Sequence, residues 1–278
     1  MTRTWFITGV NSGFGRRMTE QLLSRGDRVA GTVRKPDSVR DLQDRYGSRF
    51  WVAQLDVTAP VRATVDRAFA ELGRIDVVVN NAGYGLFGAA EELTDDQVVQ
   101  QINTNLLGSI QVVRAALPHL RAQGGGRVIQ ISSYGGQATN PGASLYHASK
   151  WGIEGFIEGT AKDVAPFGIG MTIVEPGGAR TEFRFDSLHL ATPLPAYDNT
   201  PAAMVRGARD RSRPPLGDPA KMAAGIIASA DVEPAPMRLV LGSDSYGFLT
   251  AALRERLAQI EPQQASAAST DAVASPQQ

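Results

Sequence analysis

Cysteine is absent from this 278-residue chain, which excludes disulfides and thiolate metal sites outright. The three histidines, His119, His147 and His189, are too scattered for a metal-ligand pattern. An excess of one charge is missing as well. Lys+Arg and Asp+Glu both total 28, so nothing electrostatic points to nucleic acid or to an anionic membrane. No stretch approaches the ~20 consecutive apolar residues that span a bilayer, and the run from Met1 to Thr8 is too short for a signal peptide. The expectation is a soluble, cytoplasmic protein acting on a small molecule, with no nucleic-acid or membrane partner.

Lysine is scarce, with only Lys35, Lys150, Lys162 and Lys221. One of them falls in Tyr146-His147-Ala148-Ser149-Lys150. On a helix, Tyr146 and Lys150 project from the same face. An ammonium near a phenol favours the phenolate and lowers the tyrosine's pKa from about 10. Such a tyrosine can exchange a proton with an alcohol or carbonyl oxygen. An ordinary surface pair has the same spacing, so the surrounding chain has to decide.

The chain opens with a short apolar run, Trp5-Phe6-Ile7-Thr8, then Gly9-Val10-Asn11-Ser12-Gly13-Phe14-Gly15, then Met18, Leu22 and Leu23 at helical spacing. Strand, glycine-rich turn and helix make a phosphate cradle. The glycines let backbone approach the ligand, and the helix N-terminus offers free N–H groups. A plain tight turn is the alternative. The second strand, Arg28 to Val33, delivers Arg34-Lys35 at its end, where a dinucleotide fold that reads a ribose 2′-hydroxyl carries an acid. A planar guanidinium there suits a 2′-phosphate; a solvated basic turn is the other reading.

Beyond this point short apolar strands and helical tracts alternate. Phe50 to Leu55 runs into Asp56-Val57, and Thr58 with Pro60 reads as the opening of a helix ending at Gly73. Ile75 to Val79 is a buried parallel-type strand ending in Asn80-Asn81-Ala82-Gly83. Thr94-Asp95-Asp96-Gln97 is a capping box before a long helical tract towards Leu120. That tract contains Asn103 and Asn105, poor helix formers that either face solvent or have a specific task. Arg127 to Ile131 is the fifth strand, ending in Ser132-Ser133, and Met171 to Val174 the sixth, ending in Glu175-Pro176-Gly177. Residues 178–216 lose periodicity and read as an irregular lid. Asp218-Pro219 caps a further helix, Arg238 to Leu241 is a last strand, and residues 262–278 lack any core-forming pattern. One α/β domain over 1–261 with a disordered tail over 262–278 is expected.

Thr8-Gly9-x-x-x-Gly13-x-Gly15, Asn80-Asn81-Ala82-Gly83, Asn105 in Asn-x-x-Gly, Ser133, Tyr146-x-x-x-Lys150 and Pro176-Gly177-x-x-x-Thr181 occur in this order. From Thr4 to about Gln259 the chain resembles the short-chain dehydrogenase/reductase family. The resemblance implies a Rossmann-type, doubly wound sheet of seven parallel strands, ordered 3-2-1-4-5-6-7, with helices on both faces. It also implies a nicotinamide cofactor across the strand ends. Tyr146 resembles the acid/base at the substrate oxygen. Lys150 resembles the residue that lowers the tyrosine pKa and bonds the nicotinamide ribose. Ser133 resembles the hydroxyl that holds the substrate oxygen, and Asn105 the residue that holds a water in a relay to Lys150. Cofactor contacts are implied at Thr8, Gly9, Asn11, Ser12, Gly13, Phe14, Gly15, Asp56, Val57, Asn80, Ala82, Gly83, Tyr146, Lys150, Pro176, Gly177 and Thr181. Thr32-Val33-Arg34 resembles the strand end of NADP-preferring members, so NADP(H) is expected ahead of NAD(H). A homodimer or homotetramer packed through the helices of Asn105 and Tyr146 is implied too.

Phe14 stands where the family has a branched aliphatic, and Gly178 where a larger apolar residue is common, which would widen the nicotinamide end. Tyr84, Phe87, Tyr134, Phe183, Phe185 and Tyr197 are expected to wall the substrate pocket, favouring a hydrophobic or aromatic ketone or aldehyde. Packing down the lid is the alternative for each. The expected activity is carbonyl–alcohol interconversion. A catalytically silent NADP(H)-binding regulator and a sugar-nucleotide epimerase are the rival readings.

Overall fold

The computed structural model describes residues 2–183, 187–210, 212 and 214–272. Seven strands form one parallel sheet: β1 (Thr4–Thr8), β2 (Arg28–Val33), β3 (Phe50–Gln54), β4 (Val77–Asn80), β6 (Gly126–Ile131), β7 (Ile169–Pro176) and β9 (Arg238–Leu241). Their order is β3-β2-β1-β4-β6-β7-β9. Counted along this sheet alone, that is the expected 3-2-1-4-5-6-7. Strand side chains alternate faces, and both faces are apolar. Phe6, Val78 and Val128 join one core with Val65 and Phe69 of α3 (Arg62–Leu72), Val112 of α5 (Gly108–Ala122) and Ile153 and Ile157 of α6 (Ser144–Val164). Trp5, Ile7, Val77, Val79 and Ile129 face the other, with Met18 and Leu22 of α1 (Gly13–Ser24) and Ile226 of α7 (Pro219–Ser229).

The capping box at Thr94 opens α4 (Asp95–Ile102), with Thr94 Oγ1 accepting from Gln97 N–H at 3.3 Å and Gln97 Oε1 accepting from Thr94 N–H at 3.0 Å. Asp218 caps α7 through Ala220 N–H at 2.8 Å. Thr58 does not cap α3, which starts at Arg62. Asp56 Oδ1 takes both the Thr58 amide, at 2.9 Å, and its hydroxyl, at 2.7 Å, holding it in a turn. Between Pro36 and Tyr46 a short 3₁₀ turn leads into α2 (Arg40–Tyr46).

The lid is more ordered than its sequence reads. β8 (Leu188–Leu190) pairs in parallel with β5 (Gly85–Phe87), the turn after β4, as a separate two-stranded sheet. The lid's two ends are joined, with Gly217 N–H donating to Gly178 O at 2.9 Å and Arg180 N–H to Gly217 O at 3.0 Å. The C-terminal segment also departs from expectation. α8 (Ser243–Ile260) passes through a turn into α9 (Gln264–Ala268), because Gln and Ala propagate a helix once it is nucleated. All residues of 261–272 are nonetheless exposed, so the helix packs on nothing there; residues 273–278 lie outside the described residues. No described helix is long and apolar enough to cross a membrane.

Candidate active site

The strand ends of β1, β4, β6 and β7 meet along one edge of the sheet, and the motifs gather there. Gly9 and Gly13 have φ of +72° and +54°, where glycine alone is comfortable. A Cβ on Gly15 would overlap Gly9 O, so α1 can approach the end of β1 only with glycine at this place. Ser12 makes no side-chain cap, which leaves the first amides of α1 facing the crevice. Such an arrangement is able to hold an anionic group. Thr181 reaches over it, its Cβ 3.9 Å from the position a Gly13 Cβ would take.

The turn is braced by Asn81, which the sequence reading passed over in favour of its neighbours. Asn81 Nδ2 donates to Thr8 O at 2.9 Å and Gly9 O at 3.0 Å. Thr8 Oγ1 accepts from Asn81 and Ala82 amides, each at 3.0 Å. Asn80, in contrast, turns inward: its Nδ2 donates to Ser109 O and Gln130 Oε1, at 3.0 and 3.1 Å. Its side chain therefore does not line the crevice; only its backbone reaches the strand end. At the end of β2 Arg34 is exposed and, among the described residues, its guanidinium has no hydrogen-bond or ion-pair partner. Arg16 is committed to Glu20 and Asp41. The Thr58 amide and hydroxyl hold Asp56 below the usual carboxylate range, Arg34 adding a smaller pull. Val57 is buried, and Gly108 packs so closely on its carbonyl that a Cβ would clash.

Tyr146 and Lys150 share one face of α6, the ammonium 5.7 Å from the phenol ring centroid. Lys150 Nζ donates to Ile131 O at 3.1 Å. Ser133, at the end of β6, accepts at Oγ from Gly135 N–H at 3.1 Å. Burial pushes the Tyr146 phenol up to about 12, with the Ser133 hydroxyl pulling part of the way back. Burial also lowers Lys150 to about 8. Both groups are thus driven toward their neutral forms. This differs from the expectation of a lowered phenol: burial is the largest influence on the Tyr146 hydroxyl, and it raises the phenol.

Asn105 sits in a π-helical turn, Asn103–Leu107, between α4 and α5, which supplies the reason for asparagine in mid-helix. Its side chain makes three hydrogen bonds to neighbouring segments. Oδ1 accepts from Tyr84 N–H at 3.0 Å, and Nδ2 donates to Tyr84 O at 2.8 Å and Ser149 Oγ at 3.3 Å. It fixes the turn after Gly83 against α6. Gly83 lies alongside, where a Cβ would come 3.1 Å from Asn105 Oδ1. His147 also escaped the sequence reading. Asn140 N–H donates to its Nε2 at 3.0 Å, so Nδ1 carries the proton and donates to Gly135 O at 3.0 Å. It clamps the loop following Ser133.

Of the expected aromatic walls, Phe87 stands edge-on to Tyr146 at 5.4 Å and Tyr84 edge-on to His189 at 5.7 Å. Phe183 packs on Gly85. Tyr134 stacks on Phe248 at 4.9 Å and accepts from Asn140 Nδ2 at 2.6 Å. Tyr197 instead donates to Glu91 at 2.9 Å and ties down the outside of the lid. Phe185 lies outside the described residues. Gly178 does not widen the pocket either, because Pro215 of the lid packs 3.1 Å from where its Cβ would be. Pro176 is buried, and Gly177 leaves room for the Asp244 carboxylate, which accepts from Gly178 N–H at 2.8 Å.

The family model described as short chain dehydrogenase matches residues 3–188. Oxidoreductase BOA17 of Botryotinia fuckeliana (strain B05.10) is 38% identical over 251 residues, covering 89% of this chain and 92% of its own. A crystal structure of a short-chain dehydrogenase from Streptomyces avermitilis superposes with a TM-score of 0.90 at 38% identity, covering 97% of this chain and 98% of that one. ElxO with NADP bound superposes with a TM-score of 0.73 at 25% identity, covering 89% of this chain and 100% of its own.

Proposed function

The chain belongs to the short-chain dehydrogenase family, a family of oxidoreductases, and from that premise we propose that it reduces hydrophobic ketones or aldehydes to alcohols with NADPH. The observation that carries this reading is the buried Tyr146–Lys150–Ser133 group at the strand ends, beside a glycine cradle with free helix amides. The cradle fits a dinucleotide: Gly9, Gly13 and Gly15 would take the pyrophosphate, Arg34 the 2′-phosphate, and Pro176, Gly177 and Thr181 the nicotinamide end. When bound, the nicotinamide supplies hydride to the carbonyl carbon. Ser133 Oγ and Tyr146 Oη hold the carbonyl oxygen. A phenol held near 12 is fully protonated at neutral pH, and it delivers its proton to that oxygen. Lys150 stabilises the phenolate left behind. Asn105 and His147 keep the surrounding loops in register for this exchange. A silent NADP(H)-binding regulator would have no use for the tyrosine, lysine and serine together.

The substrate side is apolar. Beyond Phe87 lies a cavity of about 260 Å³ whose walls include Leu190, Ala191, Pro193 and Val205. At its edge Arg206 pairs with Glu92 at 3.0 Å and Asp198 at 2.6 Å, so no uncompensated charge is presented there. With NADPH, kcat/KM for an aryl ketone and a steroid ketone is expected to exceed that for a 2-oxo acid and an open-chain sugar ketone by at least about tenfold, the worth of one or two buried methylenes. Polar substrates turning over ten times faster would refute the apolar pocket.

The same reading includes a homodimer or homotetramer. Val99 of α4, Leu107 of the π-turn and Trp151 of α6 are 57%, 43% and 41% exposed, an apolar surface on the elements that carry Asn105 and Tyr146. Sedimentation velocity is expected to give a dimer or tetramer, and a monomer at micromolar concentration rules this out.

A further inference from the structure

One turn beyond Lys150 on α6 lies Glu154, a carboxylate only 2% exposed that proton transfer at Tyr146 does not require. Two groups bond its carboxylate, and a charged cluster surrounds them. Just past the end of β6, Ser132 Oγ donates to Glu154 Oε1 at 2.5 Å. From β9, Arg238 Nη1 bridges Glu154 Oε2 and Glu175 Oε1 of β7, each at 2.5 Å, while its Nη2 reaches Glu158 of α6, also at 2.5 Å. Gln137 of the loop after Ser133 donates to the same Glu175 oxygen. Asp244 of α8 faces Gly178 N–H instead. Gly136 has no room for a side chain, since a Cβ would overlap the Glu154 carboxylate. The carboxylate thus buttresses both Ser132, the neighbour of Ser133, and the loop that follows.

We propose that Glu154 is a positioning residue for this site: it braces the strand end that presents Ser133, and its charge keeps Lys150 as the ammonium. The inference rests on the catalytic reading above. A hydrogen-bonded, ion-paired carboxylate is costly to bury unless its partners are retained, and here they are Ser132 just past β6 and Arg238 of β9. Lys150 is lowered by burial, and Glu154 is the charge that opposes this. Burial also pushes Glu154 up to about 7, against the pull of Ser132 and Arg238. As pH rises through this range Glu154 becomes charged and holds the Lys150 proton more tightly. Neutralising Glu154 removes that hold, so Lys150 deprotonates at a lower pH.

With four lysines in the chain, the Lys150 side-chain nitrogen can be followed by NMR in full-length, ¹⁵N-lysine-labelled protein and assigned with Lys150→Met. In the unaltered protein it is expected to titrate near 8 with a second inflection near 7, where Glu154 ionises. In Glu154→Gln, which keeps an acceptor for Ser132, the second inflection should vanish. The midpoint should fall by about one unit, tenfold in acid dissociation constant, and Glu154→Asp should restore it. The alkaline limb of kcat should move down by the same amount. If Glu154→Gln does not fold, the inflection in the unaltered protein decides. An unmoved Lys150 midpoint, a missing inflection, or a midpoint that moves without the kcat limb overturns the inference. Failure of the unaltered protein to reduce carbonyls, or full activity in Tyr146→Phe, overturns the catalytic reading instead, and the NMR titration still decides whether Glu154 governs Lys150.

Discussion

Tyr146→Phe is expected to lower kcat by about 10²–10⁴-fold, some 3–5 kcal/mol of barrier, while leaving NADPH affinity within about twofold. The substitution removes the proton donor and keeps the ring, whose edge-on contacts to Phe87 at 5.4 Å and His147 at 6.0 Å hold the start of α6 in place. Lys150 keeps its bond to Ile131 O, so the cofactor side of the site has no reason to collapse. The residual rate should be that of Ser133 and the bound reactants alone. Turnover and NADPH titration on the same preparation make the test. Turnover within tenfold of the unaltered protein would exclude Tyr146 as the acid, and a parallel collapse in NADPH affinity would mean the phenol matters to the fold of the site.

Arg34→Asp should reduce the preference for NADPH over NADH by about 30- to 150-fold, equivalent to about 2–3 kcal/mol. One charge-assisted bond to a phosphate is lost and repulsion is added. The geometry distinguishes Arg34 from its neighbour: Arg16 already spends its guanidinium on Glu20 and Asp41. Arg16→Ala should therefore move the preference much less. The readout is kcat/KM with each cofactor, compared between the variants. An unchanged ratio in Arg34→Asp would show the basic turn to be solvated and direct attention to Lys35, also exposed at this strand end.

The parts of this protein legible in its sequence are those set by neighbours along the chain. Strand runs such as Ile75 to Val79 and the helical spacing of Met18, Leu22 and Leu23 follow from side-chain periodicity. The positive φ of Gly9 and Gly13, the caps at Thr94 and Asp218, and the pairing of Tyr146 with Lys150 each span no more than five residues. Backbone geometry at that range depends little on the rest of the fold. Other features depend on partners far away in sequence. Asn81 is bound to the end of β1, and Asn105 to Tyr84 and Ser149. Tyr197 is drawn to Glu91, and Gly178 makes room for Pro215. Arg238 closes on three carboxylates from other elements. The proton affinities belong to this second group. Spacing places an ammonium near the Tyr146 phenol, but only packing decides how much water remains there, and desolvation in the closed site raises the phenol and lowers the lysine.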